Sequence, residues 1–191
     1  MENVKISDRV ITGNVTIPKV KIGLKIKKNL FKEYDDSLVL IVLSIILRAN
    51  FGKTSDFYEY LKMNQLIEYL SCDRALYKDY IILSVSFESK CPNETTKLII
   101  DKFKNLDISY DVVNRRRKSN YACLVNDYDD VVCVNTILQN DILENNKVVD
   151  NLYDIYNSID LDIASKILKK IKLTDSNLSV LKLLPKDNSI D

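Results

Sequence analysis

The stretch NETTKLIIDKFKNLDISYDVVNRRRKSNYACLV, residues 93–125, decides how the fold is read. Its first half has the helical period. Ile99, Phe103 and Leu106 fall at i, i+4 and i+7, behind Pro92 and a capping residue at Asn93, which predicts an amphipathic helix over about 94–106. Lys97, Asp101 and Lys104 occupy the opposite face. The second half is rich in β-branched and aromatic residues at 108–113 and 121–125, separated by Asn114-Arg115-Arg116-Arg117-Lys118-Ser119-Asn120. That pattern predicts a β-hairpin with a long basic tip. Four adjacent cations repel one another, and two readings of them stand side by side: a solvated loop, or a contact for phosphate.

Upstream, Val10, Thr12, Val15, Ile17, Val20, Ile22, Leu24 and Ile26 alternate with polar residues, many of them lysine. Period-two alternation with Gly13-Asn14 as a turn signal predicts an N-terminal β-hairpin. Asp35, Asp36 and Ser37 offer N-cap chemistry to an almost wholly apolar helix at 38–49. Its apolar run, Leu38–Leu47, is about half as long as a bilayer span requires, which predicts a core helix and no membrane segment. A second helix is expected over 55–70, broken near Met63-Asn64. Residues 80–88 favour a strand, since Leu83, Val85 and Phe87 alternate with Ser84, Ser86 and Glu88. Past residue 127, apolar spacings of three and four predict helices at 131–143, 148–159 and 163–171, then a last apolar piece at 178–184.

Composition narrows the chemistry. The 191 residues carry 28 basic and 27 acidic side chains, so net charge names no partner. The acidic groups concentrate in 127–162, which holds nine carboxylates and one lysine. There is no histidine, which excludes Ser-His and Cys-His nucleophile systems. With glycine only at 13, 23 and 52, no phosphate-binding glycine loop can be written. Cys72, Cys91, Cys123 and Cys133 lack the close pairing of structural zinc sites, so no metal and no cofactor is expected. The polar start Met1–Arg9 carries no secretory signal, and the cysteines are expected to be reduced, in the cytoplasm.

The order of elements, an apolar helix at 38–49, a smaller one near 63–70, the helix at 94–106 and then a basic hairpin, resembles the winged-helix family. The opening Ile17-Pro18 and Leu30-Phe31 adds a similarity to winged-helix replication initiators of plasmids and phages. The resemblance implies an α+β fold, with a winged-helix-like domain at 1–126 and a helical C-terminal region at 127–191. It also implies DNA binding without catalysis, in replication or transcription regulation. Asn93, Thr95, Thr96, Lys97 and Lys104 would face the major groove, and Arg115, Arg116, Arg117 and Lys118 would form the wing. The C-terminal helices would then join copies of the chain into a homo-oligomer.

Two alternatives stay open. The strand at 80–88, the helix and a strand at 108–113 could form a ferredoxin-like β-α-β unit. In that case Asp127-Tyr128-Asp129-Asp130, helped by Glu88, Asp107 or Asp111, could hold Mg²⁺ in a nucleic-acid-processing enzyme. Alternatively the helical surface could bind a host protein, as a viral or mobile-element accessory factor.

Overall fold

The structure, a computed structural model, describes residues 8–145, 148–174 and 176–186. Alternation sets its centre. Strand β2 (Lys19–Lys27) buries Val20, Ile22, Leu24 and Ile26 on one side and turns its lysines to the other. It pairs antiparallel with β4 (Tyr80–Glu88), placing Ile22 opposite Val85 and Leu24 opposite Leu83. The strand expected at 80–88 is therefore present. Strand β3 (Tyr69–Leu76) lies antiparallel beyond β4. On the other flank β5 (Leu178–Pro185) runs antiparallel to β2 and parallel to β1 (Asp8–Gly13), giving the order β1-β5-β2-β4-β3.

The sheet corrects two expectations. Strands β1 and β2 are neighbours in sequence but form no hairpin, because β5 separates them. The C-terminal region is not helical throughout, since its last apolar piece is that inserted strand. The expected second helix also shortens. Helix α2 (Asp56–Met63), capped by Ser55, ends at Asn64, and Gln65 follows with φ 55°, a left-handed turn. The chain then enters β3.

Helix α1 (Asp36–Phe51) is capped by Asp35, whose side chain accepts from the Ser37 N–H at 2.8 Å. Segment 36–63 is apolar and long enough to cross a membrane by composition alone. In the fold it comprises α1 and α2, and Val42, Leu43, Ile45 and Ile46 are fully buried in the core. Phe51 ends α1 by meeting Phe57 of α2, with ring centroids 5.9 Å apart, and Phe103 of α3 (Pro92–Lys104) at 4.8 Å. Cys91, rather than Asn93, stands at the cap of α3, with Pro92 in the first turn.

The predicted basic hairpin does not form. Residues 110–128 are one helix, α4 (Tyr110–Tyr128). Ser109 caps it, accepting from the Val112 N–H at 3.4 Å. No glycine or proline interrupts the run, and arginine and lysine are good helix formers, so the supposed tip lies mid-helix. The ferredoxin-like alternative loses its second strand for the same reason. Helices α5 (Val131–Asn145), α6 (Leu152–Ser158) and α7 (Leu161–Lys170) follow.

Buried side chains of α1, α2, α3, α4, α6 and α7 join one cluster with the even-numbered residues of β2. No odd-numbered residue of β2 belongs to it. All the packed helices thus cover one face of the sheet, and its other face carries none among the described residues.

Candidate functional site

Two residues of the arginine run, Arg116 and Arg117, are bonded to the ends of other helices. Arg116 donates to the Thr54 hydroxyl and to the Arg48 carbonyl, at the C-terminus of α1. Arg117 donates to the carbonyls of Asn157 at 3.2 Å and Ile159 at 3.1 Å, at the end of α6. Helix C-termini present unpaired carbonyls and partial negative charge, so two consecutive arginines of α4 clamp the ends of two other helices. Burial, then the neighbouring Arg115 and Arg48 charges, push the Arg116 guanidinium below its ordinary value. Tyr121, expected in a strand, stacks edge-on against Tyr153 and Tyr156 of α6. Arg115 and Lys118 are exposed on α4. Arg117→Met is expected to lower stability by about 1–2 kcal/mol, whereas Lys118→Met should stay within about 0.5. Equal urea midpoints for the two variants would refute the clamp.

The other expected contact residues also divide. Thr95 is fully buried, its hydroxyl within 3.0 Å of the Leu66 carbonyl, the Cys91 carbonyl and the Ser89 hydroxyl. Thr96 is buried and donates to the Pro92 carbonyl. Neither is available to a groove. Asn93 accepts from Lys182 of β5 at 2.8 Å, Lys104 pairs with Asp101 at 3.2 Å, and Lys97 is exposed.

The acidic loop is likewise a helix junction. Asp130 accepts from the N–H groups of Val132 and Cys133 and so caps α5. Asp107 pairs with Lys102, and Glu88 pairs with Lys19. No group of three or more His, Cys, Asp or Glu gathers to hold a metal among the described residues.

The helix-free sheet face is the larger feature, and its layout follows from register. One cross-strand row reads Ile11, Leu183, Lys19, Glu88 and Tyr69 from edge to edge, and the next reads Arg9, Leu181, Lys21, Ser86 and Ser71. The middle row is small: Ser179, Gly23, Ser84 and Asp73. Beyond it stand Lys25, Ile82 and Ala75, then Lys27 and Tyr80. Large apolar groups are left exposed on this face, with Tyr69 50%, Leu181 40% and Ile11 38% accessible. They line a cavity of about 300 Å³ together with Leu183. The small row opens a trough. A Cβ added at Gly23 would meet nothing nearer than Ile82 at 4.0 Å, and its backbone is not left-handed. From Lys19 to Lys27 the face is about 27 Å long at strand rise, the span of an extended segment of roughly eight residues. Exposed apolar side chains, alternating cations and two sheet margins suit an extended polypeptide.

Comparison with protein-family models gives no match, and no curated protein matches the chain. Solved structures do match. An M16-like peptidase from Alicyclobacillus acidocaldarius superposes with a TM-score of 0.76 at 19% identity, over 94% of this chain and 44% of that one. A protease from Helicobacter pylori gives 0.73 at 14%, over 97% and 45%. An inactive M16 peptidase domain from Pseudomonas fluorescens gives 0.66 at 11%, over 95% and 44%. The chain spans less than half the length of each.

These likenesses, with the sheet and the buried threonines, overturn the winged-helix resemblance and the DNA-binding regulator or initiator drawn from it. DNA as a partner falls with it, and the assignment outside enzymes loses its ground, because the solved neighbours include proteins named as peptidases, although one is an inactive domain. The ferredoxin-like, Mg²⁺-dependent alternative is set aside because residues 110–128 form a helix and no metal-holding group gathers among the described residues. The fold of this chain is an α+β fold similar to that of M16 peptidase domains.

Proposed function

We propose that this chain is the polypeptide-holding half of an M16-like peptidase unit, presenting extended substrate on the helix-free face of its sheet. The observation that carries the reading is the pairing of that fold with an open face about one extended peptide long. These residues span under half the length of the solved relatives, whose remainder would correspond to a second half. Hydrolysis by paired-histidine metal sites needs ligands that these 191 residues lack, so the reacting groups belong to that second half. This chain's contribution is binding and orientation, which lower the barrier by fixing the scissile segment. Four unpaired cysteines support a reducing compartment such as the cytoplasm.

Gly23→Trp tests the face. The position has room for a Cβ on the helix-free face and ordinary strand geometry, so the variant should stay folded while its ring fills the trough. Affinity for an unfolded reporter polypeptide is expected to fall by roughly tenfold or more, about 1.4 kcal/mol. The protein has no other tryptophan, so the new indole reports occupancy directly. Undiminished binding by a folded variant would refute the assignment of the face.

A further inference from the structure

The open face ends in a ring of lysines. Beyond the small middle row, Lys25 and Lys27 of β2 meet Lys169 and Lys170 at the end of α7 and Lys172 just after it. These five line a cavity of about 350 Å³ whose described lining holds no carboxylate and also includes Ile26, Leu30, Tyr80, Ser176 and Asn177. A neighbouring cavity of about 380 Å³ shares Lys27 and Tyr80 and adds Lys28, Lys32 and Lys78, with Asp36 and Asp79.

Some of this charge is already used. Lys28 pairs with Asp36, and Lys170 pairs with Glu33 and donates to the Leu30 carbonyl. Lys25 lies over the Tyr80 ring at 3.8 Å. Lys27, Lys169 and Lys172 enter no ion pair among the described residues. Strand β2 and the end of α7 therefore bring Lys27, Lys169 and Lys172 to one concave, partly apolar site, a local excess of positive charge suited to an anionic ligand.

We propose that this lysine ring is a specificity pocket for acidic polypeptide segments, selecting substrates with aspartate or glutamate downstream or upstream of the portion held on the trough. The inference rests on the polypeptide-binding reading of the face. Continuity carries it: Lys25, Lys27 and Tyr80 belong both to the face and to the ring, and Lys27 lies about 13 Å along β2 from Gly23. A chain extended over the trough reaches the ring within about four residues. Carboxylates satisfy the lysines, while intervening apolar side chains meet Leu30 and Tyr80. A nucleic-acid backbone matches less well, since the described lining contains no arginine whose planar fork would grip a phosphate and its walls include Ile26, Leu30 and Tyr80.

The test compares three probes on the full chain. They are a labelled synthetic peptide with a run of glutamates beside an apolar stretch, its twin with glutamines, and a single-stranded oligonucleotide. The glutamate peptide should bind about tenfold more tightly than its twin, and added salt should remove the difference. A Lys27→Gln, Lys169→Gln, Lys172→Gln triple variant should erase the preference and leave glutamine-peptide binding unchanged. These three side chains are surface groups outside the core, so the fold should persist, as circular dichroism would verify.

Equal affinity for the two peptides in the native chain overturns the pocket while leaving the face intact. Failure to bind either peptide overturns the face and the pocket together. Tighter binding of the oligonucleotide than of the glutamate peptide, lost in the triple variant, overturns the acidic-polypeptide assignment in favour of a phosphate ligand.

Discussion

A chain ending at Thr174 is expected to lose its cooperative unfolding transition. The truncation removes β5, which holds ladders on both sides, Val180–Pro185 against β1 and Leu178–Leu183 against β2. On the order of ten backbone hydrogen bonds go with it, each worth about 0.5–1.5 kcal/mol net. The burial of Val180 adds about 1.5–3 kcal/mol. The total is comparable to the whole stability of an ordinary domain, about 5–15 kcal/mol. Strand β1 is left with no partner, and β2 becomes an exposed edge carrying Val20, Ile22 and Leu24. Urea titration followed by circular dichroism, with a chain ending at Lys186 as control, reads the outcome. A 1–174 chain that unfolds with the control's midpoint would show β5 to be dispensable. The same comparison bears on the division at 126/127 suggested by the sequence, since α4 runs through that position and β5 returns from beyond it.

What was legible in the sequence follows from the range of each signal. Alternation at 19–27 and 80–88 is local, and both segments are strands with the expected face buried. The apolar run after Asp35-Asp36 and the Ile99/Phe103 spacing are local too, and both segments are helices. The partner of a strand is not local. Nothing near Gly13-Asn14 announces that a segment about 165 residues later enters between β1 and β2, so a hairpin was the natural expectation. The arginine run misled for a different reason. Val112-Val113 and Tyr121 favour strands by intrinsic preference, but that preference is weak beside tertiary contacts. Here the contacts are the Arg116 and Arg117 bonds to the ends of α1 and α6 and the stacking of Tyr121 on α6.

The candidate face shows the same division. Its lysine alternation is visible in the sequence. Its meaning depended on which strands lie alongside. Ile11, Tyr69, Leu181 and Leu183 are scattered through the chain, and only register gathers them. The small row across Gly23, Ser84 and Ser179 is equally invisible to any local pattern, although each residue is unremarkable alone. Lys169 and Lys172 read in sequence as the basic end of a helix, which complements its dipole. Their second role, closing a ring with Lys25 and Lys27, comes from the packing of α7 against α1, which brings its end to the margin of the sheet.

Asn50 carries the second large expected effect. It is 1% exposed, one residue before the end of α1. Its amide nitrogen donates to the Ile46 carbonyl at 2.9 Å and the Asp107 carbonyl at 2.8 Å, and its oxygen accepts from the Asp107 N–H at 3.1 Å. One side chain thus replaces the missing backbone partners of the α3–α4 connection and fixes where α4 begins. Asn50→Leu keeps the volume but strands the Asp107 N–H and carbonyl, and a loss of about 3 kcal/mol is expected. Asn50→Asp discriminates further. A carboxylate still accepts from the Asp107 N–H but faces two carbonyl oxygens, and burial also disfavours its charge, so its folded-state value lies above the unfolded one. Protonation restores a donor. The Asp variant should therefore be nearest the native chain below the ordinary carboxylate range and lose stability as pH rises through the raised folded value, falling below the Leu variant by pH 7. Urea midpoints of the three proteins across pH 4–8 check this, and an Asp variant whose deficit from the native chain does not change with pH would show that Asn50 is not a donor to the Asp107 loop.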